Sequence, residues 1–201
     1  MTNSVVTAEV IQKVKDFHGH MCPGLALGIR AAEIALREIG PQAQDEEVVA
    51  VVETDMCGVD AIQILTGCTF GKGNLIYKDY GKKAFSFYRR SDGKGIRIVA
   101  RPKVLVSLDS EREKLVGKSH SRNLTAEEEK CLGELKSSLA EQILHAPLED
   151  LFEMKDPRPQ LPAQARIHQS TPCQVCGEDV METRIQQIEG KRLCIPCSET
   201  L

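Results

Sequence analysis

Phe17-His18-Gly19-His20-Met21-Cys22-Pro23-Gly24 gathers two imidazoles and a thiol within five residues, where one helical pattern stops and another begins. Upstream, Thr7 to Phe17 reads as a short helix opened by a threonine cap. Downstream, Leu25, Ile29, Ala32, Leu36 and Ile39 recur at alternating steps of four and three until Gly40-Pro41, which predicts a helix over 24–39. Pro23 suits the first position of that helix and places Cys22 at its N-cap, where unpaired amides and the helix dipole favour a thiolate. Read as extended chain, 18–22 turns His18, His20 and Cys22 to one side, because side chains alternate along a strand.

A second thiol joins this set. Cys57 to Leu65 has helical spacing through Val59, Ile62 and Leu65, so Cys57 falls in a first turn after the candidate cap Thr54, where its pKa is expected to be lowered. Two helix-start thiols, Cys22 and Cys57, with His18 and His20 form a candidate site for a transition metal; sulfur and imidazole select zinc, iron or nickel over magnesium or calcium. Cys68 stands about 16 Å further along the same helix by its rise, so it is expected to pack at the helix end. Cys131 reads as inert core, and His120, His145 and His168 have no ligand-like neighbours. Should a metal activate water, Glu53, Asp55 and Asp60 are the nearby candidate bases.

The remaining chain predicts a strand over 47–53, strand-like pieces at 74–77, 84–90 and 95–99 forming an antiparallel meander, and helices over 110–116 and 125–143. The last opens with the capping box Thr125-x-x-Glu128. The fold class is α+β, with helices packed on a small antiparallel sheet and a C-terminal zinc ribbon. The ribbon is read from Cys173-x-x-Cys176 and Cys194-x-x-Cys197, the spacing of a four-thiolate zinc site. The expected domains are 1–156, a Pro-rich linker over 157–170 with prolines at 157, 159 and 162, and the ribbon over 171–201.

With 201 residues, 41% of them apolar, the chain has enough material for a normal core without staples. Its paired C-x-x-C spacing suits metal in a reducing compartment rather than disulfides, and the expected location is cytoplasmic. The densest apolar run, Val48 to Val52, is far short of the roughly 20 residues that span a bilayer. The net charge of −3 hides a basic stretch: residues 71–103 hold ten Lys or Arg, Lys103 the last, against Asp79 and Asp92. An anionic partner follows as an expectation. Gly67-Cys68-Thr69-Phe70-Gly71-Lys72-Gly73-Asn74 misses the phosphate-loop pattern by one residue and lacks the Ser or Thr that would hold magnesium, which excludes a nucleoside triphosphatase. Lys72 keeps a minor anion-binding signal. The ribbon carries five acids against three bases and is unsuited to nucleic acid.

Four ordered motifs now carry a resemblance: Phe17-His18-Gly19-His20-x-Cys22-Pro23-Gly24, Glu53-x-x-x-Cys57-x-Val59-Asp60-Ala61-Ile62-Gln63, Thr66 to Leu75, and Asp79-x-Gly81-Lys82-x-Ala84-Phe85. From about Val14 to Lys155 the chain resembles the FmdE family, which takes its name from molybdenum or tungsten formylmethanofuran dehydrogenase, and its ribbon is similar to the DksA/TraR four-cysteine finger. The resemblance implies a two-domain protomer, an intertwined homodimer and a metal-containing active site. On that basis the chain is expected to be a redox or accessory subunit beside molybdopterin oxidoreductase subunits. Cys22, Cys57 and His20 would be catalytic, and His18 and His20 metal ligands or proton carriers. The alternative is a zinc-ribbon regulator or metal-delivery protein without catalysis of its own.

Overall fold

The computed structural model describes residues 6–102, 110–120, 123–157 and 161–200. Lys103 and Pro159 lie outside them. In chain order the elements are α1 (Ala8–His18), α2 (Pro23–Glu38), β1 (Val48–Val52), α3 (Gly58–Thr66), β2 (Leu75–Tyr77), β3 (Ala84–Arg89), β4 (Gly95–Ala100), α4 (Ser110–His120), α5 (Ala126–His145), the single turn α6 (Leu148–Leu151) and β5 (Phe152–Lys155). The C-terminal segment adds β6 (Ser170–Pro172), β7 (Asp179–Met181), β8 (Gln186–Ile188), β9 (Lys191–Leu193) and the short α7 (Ile195–Ser198). Two compact units result, Met1–Gln164 and Ala165–Leu201.

The first unit is α+β, as the sequence predicts. Its sheet has the order β2-β1-β3-β4-β5. The β1-β3-β4-β5 ladder is antiparallel throughout, but β2 runs parallel to β1, pairing Ala50 with Leu75 and Val52 with Tyr77. The expected meander therefore loses its first member. The reason is the connection: α3 lies between β1 and β2, and a helical crossover returns the chain to the same edge of the sheet in the same direction.

One face of the sheet is covered. Ala50, Val52, Phe85, Phe87 and Ile98 pack against Leu27, Ala31 and Ile34 of α2 and Ala140 and Ile143 of α5. Alternation along β1 and β3 sends these residues to the helical layer and sends Val49, Val51 and Tyr88 to the other side. Phe85 and Phe87 are wholly buried, so they are core residues rather than a stacking platform. The capping box at α5 is formed in both directions, Glu128 N–H donating to Thr125 Oγ1 and Thr125 N–H to the Glu128 carboxylate.

The loop after α3 is structural. Asn74 donates to the carbonyls of Asp45 and Val48 and accepts from Thr69 N–H, all at 2.9 Å. Lys72 Nζ donates to the carbonyls of Gly67 at 2.9 Å and Ala43 at 3.2 Å, beside the C-terminal end of α3.

Candidate metal centres

α1, α2 and α3 meet over a second apolar cluster of Val14, Leu25, Ile29, Ala32, Ala61 and Leu65. Each brings one ligand-type residue to the same rim. His18 is the last residue of α1, not the first of an extended run. Gly19, at φ 91°, closes that helix with a left-handed cap whose N–H donates to Lys15 at 2.8 Å, so His18 keeps helical backbone and the expected 18–20–22 alternation is lost. His20, exposed beyond the cap, lies against His18 with ring centroids 4.7 Å apart.

The chemistry of His18 is set by its neighbour. Its Nδ1 is 2.6 Å from Asp60 Oδ2, while its Nε2 is buried without a hydrogen-bond partner. A carboxylate on Nδ1 favours the tautomer with the proton there, which leaves a bare lone pair on Nε2. A buried acceptor without a partner is costly, and a cation in front of it removes the cost.

Cys22 caps α2 from extended backbone, with Leu25 N–H donating to its Sγ at 3.4 Å and Pro23 in the first turn, as expected. Cys57 directly precedes α3, and the closeness of α3 to α2 comes from two glycines. A Cβ on Gly28 would stand 2.2 Å from the Gly58 carbonyl oxygen, and one on Gly58 would stand 2.9 Å from that of Gly24. With main chain against main chain, His18, Cys22 and Cys57 each offer a ligand atom, all within 4.8 Å of one another. The Cys57 thiol is raised, opposite to the expectation from its position: burial pushes it up first and the adjacent Cys22 second, and no side chain caps that helix start. A metal ion bound between the sulfurs reverses that balance, since a coordinating thiol is deprotonated outright.

Two sulfurs and one imidazole nitrogen fit zinc, iron or nickel, and three protein ligands leave a fourth position available in a tetrahedral site. His20 lies outside this three-atom group. Cys68 is fully buried, donates to the Val48 carbonyl at 3.4 Å and is pushed up to about 11 by burial, so it is a packing residue. Asp60, one of three acids considered as bases, is instead the partner of His18. Glu53 is taken by Arg97, whose Nε and Nη2 donate to its two carboxylate oxygens at 2.6 and 2.8 Å. Asp60→Asn is expected to weaken metal affinity at this centre about 10- to 100-fold, the usual cost of losing such an orienting carboxylate. Competition with a chromophoric chelator checks it.

The second unit is built around the other cysteines. Cys173, Cys176, Cys194 and Cys197 bring their sulfurs within 4.8 Å of one another, and all four are free thiols. Gly177, at φ 78°, turns the first knuckle so that its N–H reaches the Cys173 carbonyl at 2.9 Å. Amides of Cys194, Cys176 and Val175 pull the Cys173 thiol down to about 6, whereas Cys197 is pushed up to about 12 by its hydrogen bond with Cys194 and by burial. Four adjacent thiols cannot all ionise on their own, and a dication allows it. Among the described residues, Leu193 with Val180 and Ile188 forms a small apolar cluster beside the cysteines, so a closed four-sulfur zinc site is expected to supply folding energy that the packing lacks.

Fold and sites together define a two-unit, metal-binding α+β protein with a four-cysteine zinc ribbon. Residues 17–153 match the family described as "FmdE, Molybdenum formylmethanofuran dehydrogenase operon", and residues 167–200 match the prokaryotic DksA/TraR C4-type zinc finger. The chain belongs to the FmdE family. It shares its fold with the crystal structure of a tungsten formylmethanofuran dehydrogenase FmdE-like protein from Syntrophus aciditrophicus, at 23% identity and a TM-score of 0.63, covering 96% of this chain and 91% of that one. It is also 35% identical over 196 residues to a "Probable S-adenosyl-L-methionine-binding protein" of Archaeoglobus fulgidus. That match covers 94% of this chain and 52% of the relative, so the chain spans about half the relative's length. No helix among the described residues is long and apolar enough to cross a membrane.

Proposed function

We propose that the chain is a metal-dependent accessory protein of molybdenum- or tungsten-type oxidoreductases, working from a mononuclear centre held by His18, Cys22 and Cys57. The observation that carries this reading is the convergence of His18 with two thiols, its Nε2 buried without a hydrogen-bond partner and its other ring nitrogen held by Asp60. A transition metal there would act as a Lewis acid or a one-electron carrier. Asp60 orients the imidazole, the Gly28–Gly58 contact holds the sulfurs at ligating distance, and exposed His20 is placed to carry protons to and from the rim. Family membership supports the association with such oxidoreductases, and a homodimer in the cytoplasm belongs to the same reading.

Full-length protein purified without oxygen is expected to hold two metal equivalents, one in the ribbon, and Cys22→Ser or Cys57→Ser to hold one. Unchanged metal content in both variants would overturn the centre. Co-purification of tagged chain with oxidoreductase subunits tests the association separately. A second reading, binding of S-adenosylmethionine, is favoured by the 35% identity to the Archaeoglobus protein across nearly the whole chain. Calorimetric titration with S-adenosylmethionine decides it.

A further inference from the structure

We propose that the face of the sheet turned away from the helices carries a binding site for a nucleotide-sized anion with a flat ring, a nucleoside phosphate. The cross-strand row Val51-Ser86-Arg97-Lys155 lies on this face, because Val52, Phe85 and Ile98, one position on, point to the helices. An open cavity of about 890 Å³ is lined by Glu53, Arg97, Lys155 and Asp156 together with Lys78, Tyr80 and Lys82 from the β2–β3 loop. That volume is at the upper end of the roughly 300–1,000 Å³ of small-molecule sites.

Charge and shape select the ligand. Glu53 is only 3% exposed, and Arg97 engages it along the Nε–Nη2 edge, which leaves the opposite edge of the fork directed away from Glu53. Lys155 is paired with Glu153 at 3.0 Å, but among the described residues neither Lys78 nor Lys82 has an ion-pair partner. Four cations thus line the cavity against two acids, one of them already bound to Arg97. Tyr80 is 57% exposed, and Lys82 Nζ lies 6.0 Å from its ring centroid. A large exposed aromatic beside unpaired ammonium groups offers a stacking surface and anion contacts to one molecule. The basic character of 71–103 gains a location here that Lys72, committed to carbonyls, does not give it.

The test is calorimetry on the metal-loaded full chain with ADP, adenosine and inorganic phosphate as probes. ADP is expected to bind, with adenosine and phosphate each at least about tenfold weaker, since each supplies only part of the contacts. Lys78→Ala/Lys82→Ala is expected to cost about tenfold or more with an unchanged melting curve, as charge-assisted contacts are lost. Tyr80→Ala should weaken ADP while Tyr80→Phe restores it. Cys22→Ser should leave ADP binding intact, which keeps this site separate from the metal centre. No ADP binding up to about 1 mM, equal affinity for phosphate, or indifference to the double substitution would overturn the proposal.

Discussion

Gly28→Ala is expected to lower the melting temperature of the first unit by about 10 °C and to abolish metal binding by His18, Cys22 and Cys57. The added methyl would meet the oxygen, Cα and carbonyl carbon of Gly58 at 2.2, 2.4 and 2.7 Å, all of them backbone. No rotamer relieves such an overlap, so α3 must move off α2. Overpacking of this kind costs about 3 kcal/mol or more, and a domain of this size loses roughly 2–4 °C per kcal/mol. Gly24→Ala is the milder comparison: its methyl meets the flexible end of Met56 at 3.1 Å, which can swing away, and stands 3.4 Å from Cys57 Cβ and 3.9 Å from Cys22 Sγ, ordinary contact distances. Thermal melts followed by circular dichroism, with cobalt titration of both variants, separate the two. A Gly28→Ala protein that melts and binds cobalt like the parent would remove the glycine contact as the cause of the thiol spacing.

Cys194→Ser is expected to unfold the second unit and leave the first intact. Its thiol is one of four ligands, and its amide also donates to Cys173 Sγ at 3.3 Å. With few apolar residues buried among the described ones, zinc is expected to supply most of the stability of this segment, on the order of 10 kcal/mol in comparable small domains. Limited proteolysis should then cut within residues 165–201 while the larger fragment keeps its melting transition. Chelation of the parent should reproduce the pattern. Persistent protection of the segment in both cases would mean that its hairpins hold without metal.

Local chemistry is legible in the chain and distant pairing is not. Four-three spacing places α2 to within a residue, Thr125 and Glu128 announce α5, and cysteine spacing alone announces the ribbon. The proline after Cys22 places that thiol at its cap. An extended reading of 18–22 misorients His18 because it passes over Gly19 as a helix terminator, although a glycine after a helical run is itself a stop signal. The partnership of His18 with Asp60 joins residues 42 apart and leaves no trace in periodicity. β2 has three residues, too few to declare its direction, so only the crossover through α3 reveals that it is parallel. The raised thiol of Cys57 also lies out of reach, since helix position predicts one sign and burial beside another sulfur imposes the other.

Where Gly28 meets Gly58, two peptide backbones touch with no side chain between them. The approach of α2 to α3, and with it the distance between the backbones that carry Cys22 and Cys57, is consequently set by main chain rather than by interdigitating side chains. For protein engineering this makes the frame a candidate socket: if a metal sits there, exchanging cysteine, histidine or carboxylate at positions 18, 22 and 57 is expected to change which metal it takes while the helix spacing stays the same.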